Sequence, residues 1–280
     1  MTIISNMLVF TLAVLISLVT SADAFAWGFE THISIGIKIL ENSSFHIINN
    51  SPAHFLLGNI FPDLFNLFKN FSTLKKSLNT HSWNTVSALF SNAATDAEKA
   101  FAYGYAAHLS ADIVAHNYFV PEYYISRSDK KLFAHFLTEN AEEALTDKKF
   151  KPSLFYLLDN ASELGSLFLR TKNVEKKYFS KQIKYIKFGL NYQYTLNIGK
   201  ISKSIRQSND PDFISKCEAY QQKALEFATT SVENGFGEFV KYDPSGHKSM
   251  QIAKNTRQRL VEDMGKKNLN SLNFNKKKGL

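Results

Sequence analysis

Phe101-Ala-Tyr-Gly-Tyr-Ala-Ala-His108-Leu-Ser-Ala-Asp112-Ile-Val-Ala-His116 carries both the fold signal and the chemistry of this chain. Its large apolar residues, Phe101, Tyr105 and Leu109, recur at helical spacing, and the small residues Gly104, Ala106, Ala107, Ala111 and Ala115 let other helices approach closely. His108, Asp112 and His116 stand at i, i+4 and i+8, so on one helix they line a single face. At a rise of about 1.5 Å per residue the two histidines lie roughly 12 Å apart, too far to share one ion at bonds of about 2.0–2.2 Å. Asp112, between them, has two oxygens to divide between neighbouring metals. The spacing argues for a polynuclear site.

Working outward, helical periodicity continues. Upstream it covers Ile33 to Leu40 and Val86 to Phe101; downstream it covers Leu132 to Leu145, Val174 to Leu190 and Phe213 to Val232. Alternating strand patterns closed by hairpin turns are missing, and no internal repeat is visible. The reading is an all-α, multi-helix single domain built around a polynuclear metal site. With 280 residues, 44% hydrophobic, and only 12 Gly and 6 Pro, the composition excludes a disordered chain or a linker-rich array. A single cysteine, Cys217, excludes an internal disulfide and a thiolate zinc centre, leaving His, Asp and Glu as ligands.

Met7 to Val19 is an uncharged apolar run followed by Ala24-Phe25-Ala26, the pattern of a secretory signal with its cleavage site. The expected organisation is a signal peptide over 1–26, a helical domain over 27–243 and a polar, Lys-rich, frayed tail over 244–280. That predicts a secreted or periplasmic protein with Trp27 as its new N-terminus. Charge is uneven: residues 1–147 carry a net −5 and residues 148–280 a net +13. A basic half suits an anionic membrane surface or nucleic acid, and it suits a plain solvated face as well.

A second clip, His135-x3-Glu139, repeats the i, i+4 spacing. Packed antiparallel on the first row, it would join His116 in one three-ligand site, leaving His108 and Asp112 to start another. Asp63 in Phe61-Pro62-Asp63 and His81 in Thr80-His81-Ser82 stand at loop or helix-start positions from which side chains reach into such a site. His46, His54 and His247 belong to no comparable pattern.

Trp27-Gly-Phe-Glu-Thr-His32, Pro62-Asp63, His81-Ser82, the His108/Asp112/His116 row and the His135/Glu139 clip, in that order, resemble the zinc-dependent phospholipase C family. Its zinc site is shared with the single-strand-specific nucleases. The resemblance implies an all-helical fold with three Zn2+ ions. Trp27 main chain, His32 and one Asp112 oxygen would hold the first; Asp63, His81, His108 and the other Asp112 oxygen the second; His116, His135 and Glu139 the third. It also implies that Asp63 acts as a general base.

Two marks depart from the secreted lecithinase branch. The row is His-x3-Asp-x3-His rather than His-x3-Asp-x5-His, a spacing that resembles the glycan-anchor-cleaving phospholipase D. Leu64 and Leu78 stand where those enzymes place choline-binding aromatics. Clustered divalent ions suit phosphoester hydrolysis because together they neutralise phosphate oxygens and acidify a water. The expected function is therefore a phospholipase C-like phosphodiesterase. The alternatives are a single-strand-type nuclease and a non-catalytic, zinc-stabilised module that binds membrane surfaces.

Overall fold

The computed structural model describes residues 27–65, 78–126, 138–146 and 150–264. All regular structure among them is helical: α1 (Phe29–Asn42), α2 (His46–Asn49), α3 (Pro52–Gly58), α4 (Trp83–Asn92), α5 (Asp96–Val114), α6 (Val120–Ser126), α7 (Lys151–Asp159), α8 (Ala161–Leu164), α9 (Ser166–Thr171), α10 (Lys176–Thr195), α11 (Ile198–Asn209), α12 (Phe213–Glu233) and α13 (His247–Met264). Short 3-10 turns cover Phe61–Phe65 and Phe236–Phe239. Residues 138–143 are helical as well.

The axis of the molecule is α5. Thr95 caps it, its hydroxyl accepting from the Glu98 amide at 3.2 Å while the Glu98 carboxylate accepts from the Ala94 amide at 2.7 Å. Beyond the first turn nearly every residue is buried, so α5 is a core helix rather than an amphipathic surface one. Phe101, Tyr105, Leu109 and Ile113 pack into one apolar cluster with Phe61, Phe168 and Phe179. Ala100, Ala107, Ala111 and Val114 pack into another with Trp27, Phe119 and Phe213. The row of ligand candidates runs along α5 between these two clusters.

Close approach of α3 to α5 rests on two glycines. A Cβ on Gly104 would stand 2.0 Å from the Phe55 carbonyl oxygen, and one on Gly58 would stand 2.2 Å from that of Phe101. Neither position admits a side chain while the backbones stay in contact. On the other flank α12 brings Cys217, Ala224, Ala228 and Val232 to the second cluster.

The expectation of a frayed end after Asp243 is not met over His247–Met264, which forms α13. Asp243 starts it by accepting from the amides of Ser245 at 2.9 Å and His247 at 3.2 Å. Ala253 is buried, and Arg257 lies over the Tyr124 ring while donating to its carbonyl at 3.1 Å. A polar composition hid a narrow contact stripe against α6. Residues 1–26, which contain the proposed signal peptide, and His135 lie outside the described residues.

Candidate metal centre

Four elements bring the ligand candidates together. His32 is on the first turn of α1, Asp63 on the Phe61–Phe65 turn, His81 on the loop before α4, and His108 and Asp112 on α5. His32, Asp63, His108, Asp112 and His116 are all buried. His81 has 11% of its side chain exposed and marks the open side of the group.

The geometry centres on Asp112. Its Oδ2 lies 3.1 Å from His108 Nε2, 3.3 Å from His81 Nε2 and 3.8 Å from His116 Nε2, and its Oδ1 lies 3.4 Å from His32 Nε2. Asp63 Oδ1 lies 3.1 Å from His81 Nε2 and 3.9 Å from His108 Nε2. The His32 and His108 rings stack at 4.0 Å. Two sets of three could each hold an ion: His32, Asp63 and His108, and His81, His108 and Asp112.

The neighbours of these groups fix their orientation. His108 Nδ1 is 2.8 Å from the Asn59 carbonyl, which can only accept; a neutral ring therefore carries its proton there and keeps the Nε2 lone pair for the site. His81 Nδ1 is 3.1 Å from Thr80 Oγ1. The loop is pinned by Tyr105, whose hydroxyl donates to the Thr80 carbonyl at 2.7 Å, and by Thr85, which donates to the Asn79 carbonyl at 2.8 Å. Asn79 takes the left-handed conformation at φ 47°, which turns the chain into the site.

Burial shapes the charge state. It pushes the His32 pKa down, helped by His108 beside it and opposed by Asp112. Burial also opposes ionisation of Asp112, but His108, His32 and His81 outweigh it and hold that carboxyl well below its usual range. At His81 the same burial is overcome by hydrogen bonds with Asp112 and Asp63, which raise the imidazole to about 9.

The donor set fits zinc. Both ring nitrogens of His32 are buried without a hydrogen bond, a state costing about 1–3 kcal/mol in a closed protein interior and relieved by a metal bond. The 3.4 Å approach to Asp112 is an ion-pair distance and makes no hydrogen bond. Imidazole and carboxylate donors without thiolate match the nitrogen and oxygen preference of catalytic zinc sites.

Trp27 is fully buried, stacked on Phe119 at 4.8 Å with its indole donating to the Ala111 carbonyl at 3.4 Å. Its main chain precedes Gly28, whose carbonyl accepts from the His32 amide at 3.2 Å, so Trp27 and Gly28 are held within a turn of His32. His116 joins the group through Asp112. It sits in a π turn, Ala115–Phe119, where the expectation had a continuous α-helix. In this wider turn the side-chain amide of Asn117 donates to the Ile113 carbonyl at 3.1 Å and to the Asp243 carbonyl at 2.8 Å. Glu139 is half-buried and belongs to neither set of three. Leu64 and Leu78 are core side chains, so nothing at those positions stacks on a quaternary amine.

Sequence reasoning did not find Asn59, Thr80 or the acids gathered at α1, of which Glu30 and Glu142 are buried and Glu143 half-buried. Tyr105, three residues before His108, carried a signal in its spacing but read as core alone.

A family model described as zinc dependent phospholipase C matches residues 31–204, more than half of the chain. The match reaches well beyond Glu139, through α10 and into α11. No curated protein and no solved structure matches the chain significantly.

Proposed function

Because the chain belongs to the zinc-dependent phospholipase C family, we propose that it is a zinc-dependent phosphodiesterase, which after export hydrolyses the ester joining the phosphorylated headgroup to diacylglycerol in membrane phospholipids. The observation that carries this reading is the convergence of His81 Nε2, His108 Nε2 and Asp112 Oδ2 within 3.3 Å of one another, with Asp63 Oδ1 3.1 Å from His81. His32, Asp63, His81, His108 and Asp112 would hold the metal, joined by the Trp27 main chain once the chain is cut before it. His116, His135 and Glu139 are assigned to a third ion. Bound zinc supplies charge for the phosphate oxygens and acidifies a water.

The chain's own groups do the rest. Asp112, kept ionised by three imidazoles, offers one oxygen to each side of the site. Asp63, on a turn whose five residues are all buried, is held facing His81 and His108, where it can accept a proton from a water entering beside His81. Leu64 and Phe65, the next two residues of the turn, are buried in the apolar core and anchor it there. The Asn59 carbonyl and Thr80 hydroxyl lock the two rings so that their Nε2 atoms face inward.

The test uses the chain beginning at Trp27, stripped of metal and reloaded with zinc, on phospholipids of different headgroups and on single-stranded DNA. Release of a phosphorylated headgroup and diacylglycerol, lost on chelation and restored by zinc, is the expected result. Release of nucleotides with intact lipid would assign the site to a nuclease. Intact substrates throughout would leave a zinc-stabilised binding module.

A further inference from the structure

Between Lys176 and Asn209 the chain has seven Lys and one Arg, and no Asp or Glu. These 34 residues form α10, a short turn and α11. On α10, Phe179, Gln182, Ile183, Ile186 and Leu190 make the buried stripe. Tyr178, Lys181, Tyr185 and Phe188 fall on the opposite side, at i, i+3, i+7 and i+10. Tyr178 is 55% exposed, Tyr185 49% and Phe188 55%. On α11, Ile201 at 56% and Ile205 at 37% are exposed as well, with Leu196 at 37% in the turn between. Six of the nine large hydrophobic side chains exposed among the described residues thus lie on this one helical pair.

We propose that the outer face of α10 and α11 seats the protein on an anionic lipid bilayer, Tyr178, Tyr185 and Phe188 entering the headgroup layer and Lys181 and Lys184 meeting lipid phosphates. This rests on the reading that the substrate is a phospholipid. Charge complementarity selects the occupant: a surface without a carboxylate over 34 residues suits a wide, uniformly negative plane. The apolar component selects lipid over nucleic acid. Phosphate backbones attract lysine, but Ile201, Ile205 and Leu196 gain only by leaving water. Interleaved aromatic and basic residues are the composition of helices that lie in the membrane interface. Lys187 is not counted among the lipid contacts, because it pairs with Asp159 of α7.

The face is mechanically joined to the candidate metal centre. Phe179 packs on Phe61 at 5.3 Å and on Phe65 at 5.5 Å, and the Gln182 side chain donates to the Leu64 carbonyl. The helix that meets the bilayer thus backs directly onto the turn that carries Asp63.

The test measures co-sedimentation with vesicles of phosphatidylcholine alone and with one part in three of phosphatidylglycerol, at low and high salt. Wild type should bind the anionic vesicles at least tenfold more tightly and lose most of that in high salt. Lys181→Glu/Lys184→Glu and Tyr185→Ser/Phe188→Ser should each weaken binding about tenfold or more. Hydrolysis of a short-chain phospholipid in solution should stay unchanged in both, with helix content by circular dichroism as the fold control. Vesicle binding equal to wild type in both variants overturns the proposal. So does tight binding to single-stranded DNA without affinity for vesicles. If wild type binds vesicles through these residues but hydrolyses no lipid, the docking face stands and the catalytic reading falls.

Discussion

The Nε2 atoms of His81 and His108 face each other at 3.3 Å, and Asp112 Oδ2 lies within 3.3 Å of both. With the outer nitrogen of His108 committed to the Asn59 carbonyl, two imidazoles and a carboxylate converge on one point. Three acceptor atoms at that separation repel unless a cation or a shared proton lies among them. The raised pKa of His81 and the lowered one of Asp112 are the proton's version of that arrangement; a divalent ion answers it with two charges instead of one.

Asp112→Asn should lower zinc content by more than one ion per chain, because the amide keeps one neutral oxygen and its nitrogen is no ligand. Metal analysis of the purified variant checks this. Loss of a single ion would restrict Asp112 to one site.

Gly104→Ala should destabilise by about 1–3 kcal/mol, lowering Tm by several degrees, since the new Cβ would stand 2.0 Å from the Phe55 carbonyl oxygen. Zinc affinity should fall with it, because α3 delivers the Asn59 carbonyl that orients His108. Gly237→Ala, where a Cβ meets nothing within 4 Å, is the control and should change neither quantity. Thermal melts and a zinc titration on both variants decide it.

Glu142 gives a pH signature. Burial, offset only in part by hydrogen bonds from Gln221 and Thr31, raises its pKa from 4.5 to about 8. The folded state therefore keeps a proton that the unfolded chain releases near 4.5. The stability this proton confers is full below that pH and is lost as pH rises toward and through about 8. Glu142→Gln should leave Tm unchanged near pH 4.5, raise it relative to wild type above pH 8, and flatten the decline between. Glu143, raised first by burial as well, keeps some slope in the variant. Parallel curves for the two proteins would contradict the assignment.

Chain that retains even one residue before Trp27 should bind less zinc and hydrolyse more slowly than chain beginning at Trp27. A free α-amine, titrating near about 7.7–8.0, gives its lone pair to zinc, and a peptide nitrogen does not. Mass spectrometry of the N-terminus and zinc counting on the same samples make the comparison. Equal content and equal rates would leave Trp27 as a buried aromatic stacked on Phe119.

The helical class and the α5 row were legible because both are properties of spacing along one element: His108 and Asp112 share a face at i, i+4 and do so in the structure. What spacing does not carry is contact across the chain. The Asn59 carbonyl reaches His108 only because Gly58 and Gly104 bring two backbones together, and Tyr105 holds Thr80 across a loop whose course no local pattern specifies. At the π turn that carries His116, Asn117 bonds to the Asp243 carbonyl, far along the chain. No local pattern marks Glu30, Glu142 and Glu143, which packing gathers where α1 meets residues 138–146, Glu30 and Glu142 buried and Glu143 half-buried. Tyr194 and the Glu30 amide meet two of them there, and Thr31 and Gln221 the third. In α13 a polar sequence concealed the buried Ala253.

The central claim is that Asp112 divides its carboxylate between neighbouring zinc ions. The direct measurement is anomalous diffraction at the zinc absorption edge from crystals of the zinc-loaded chain beginning at Trp27. The account predicts two peaks at Asp112, one within zinc–oxygen bonding distance, about 2.0–2.2 Å, of each carboxylate oxygen, with His32 on the first and His81 and His108 on the second. A single peak at Asp112, or zinc bound elsewhere with Asp112 uncoordinated, would contradict it.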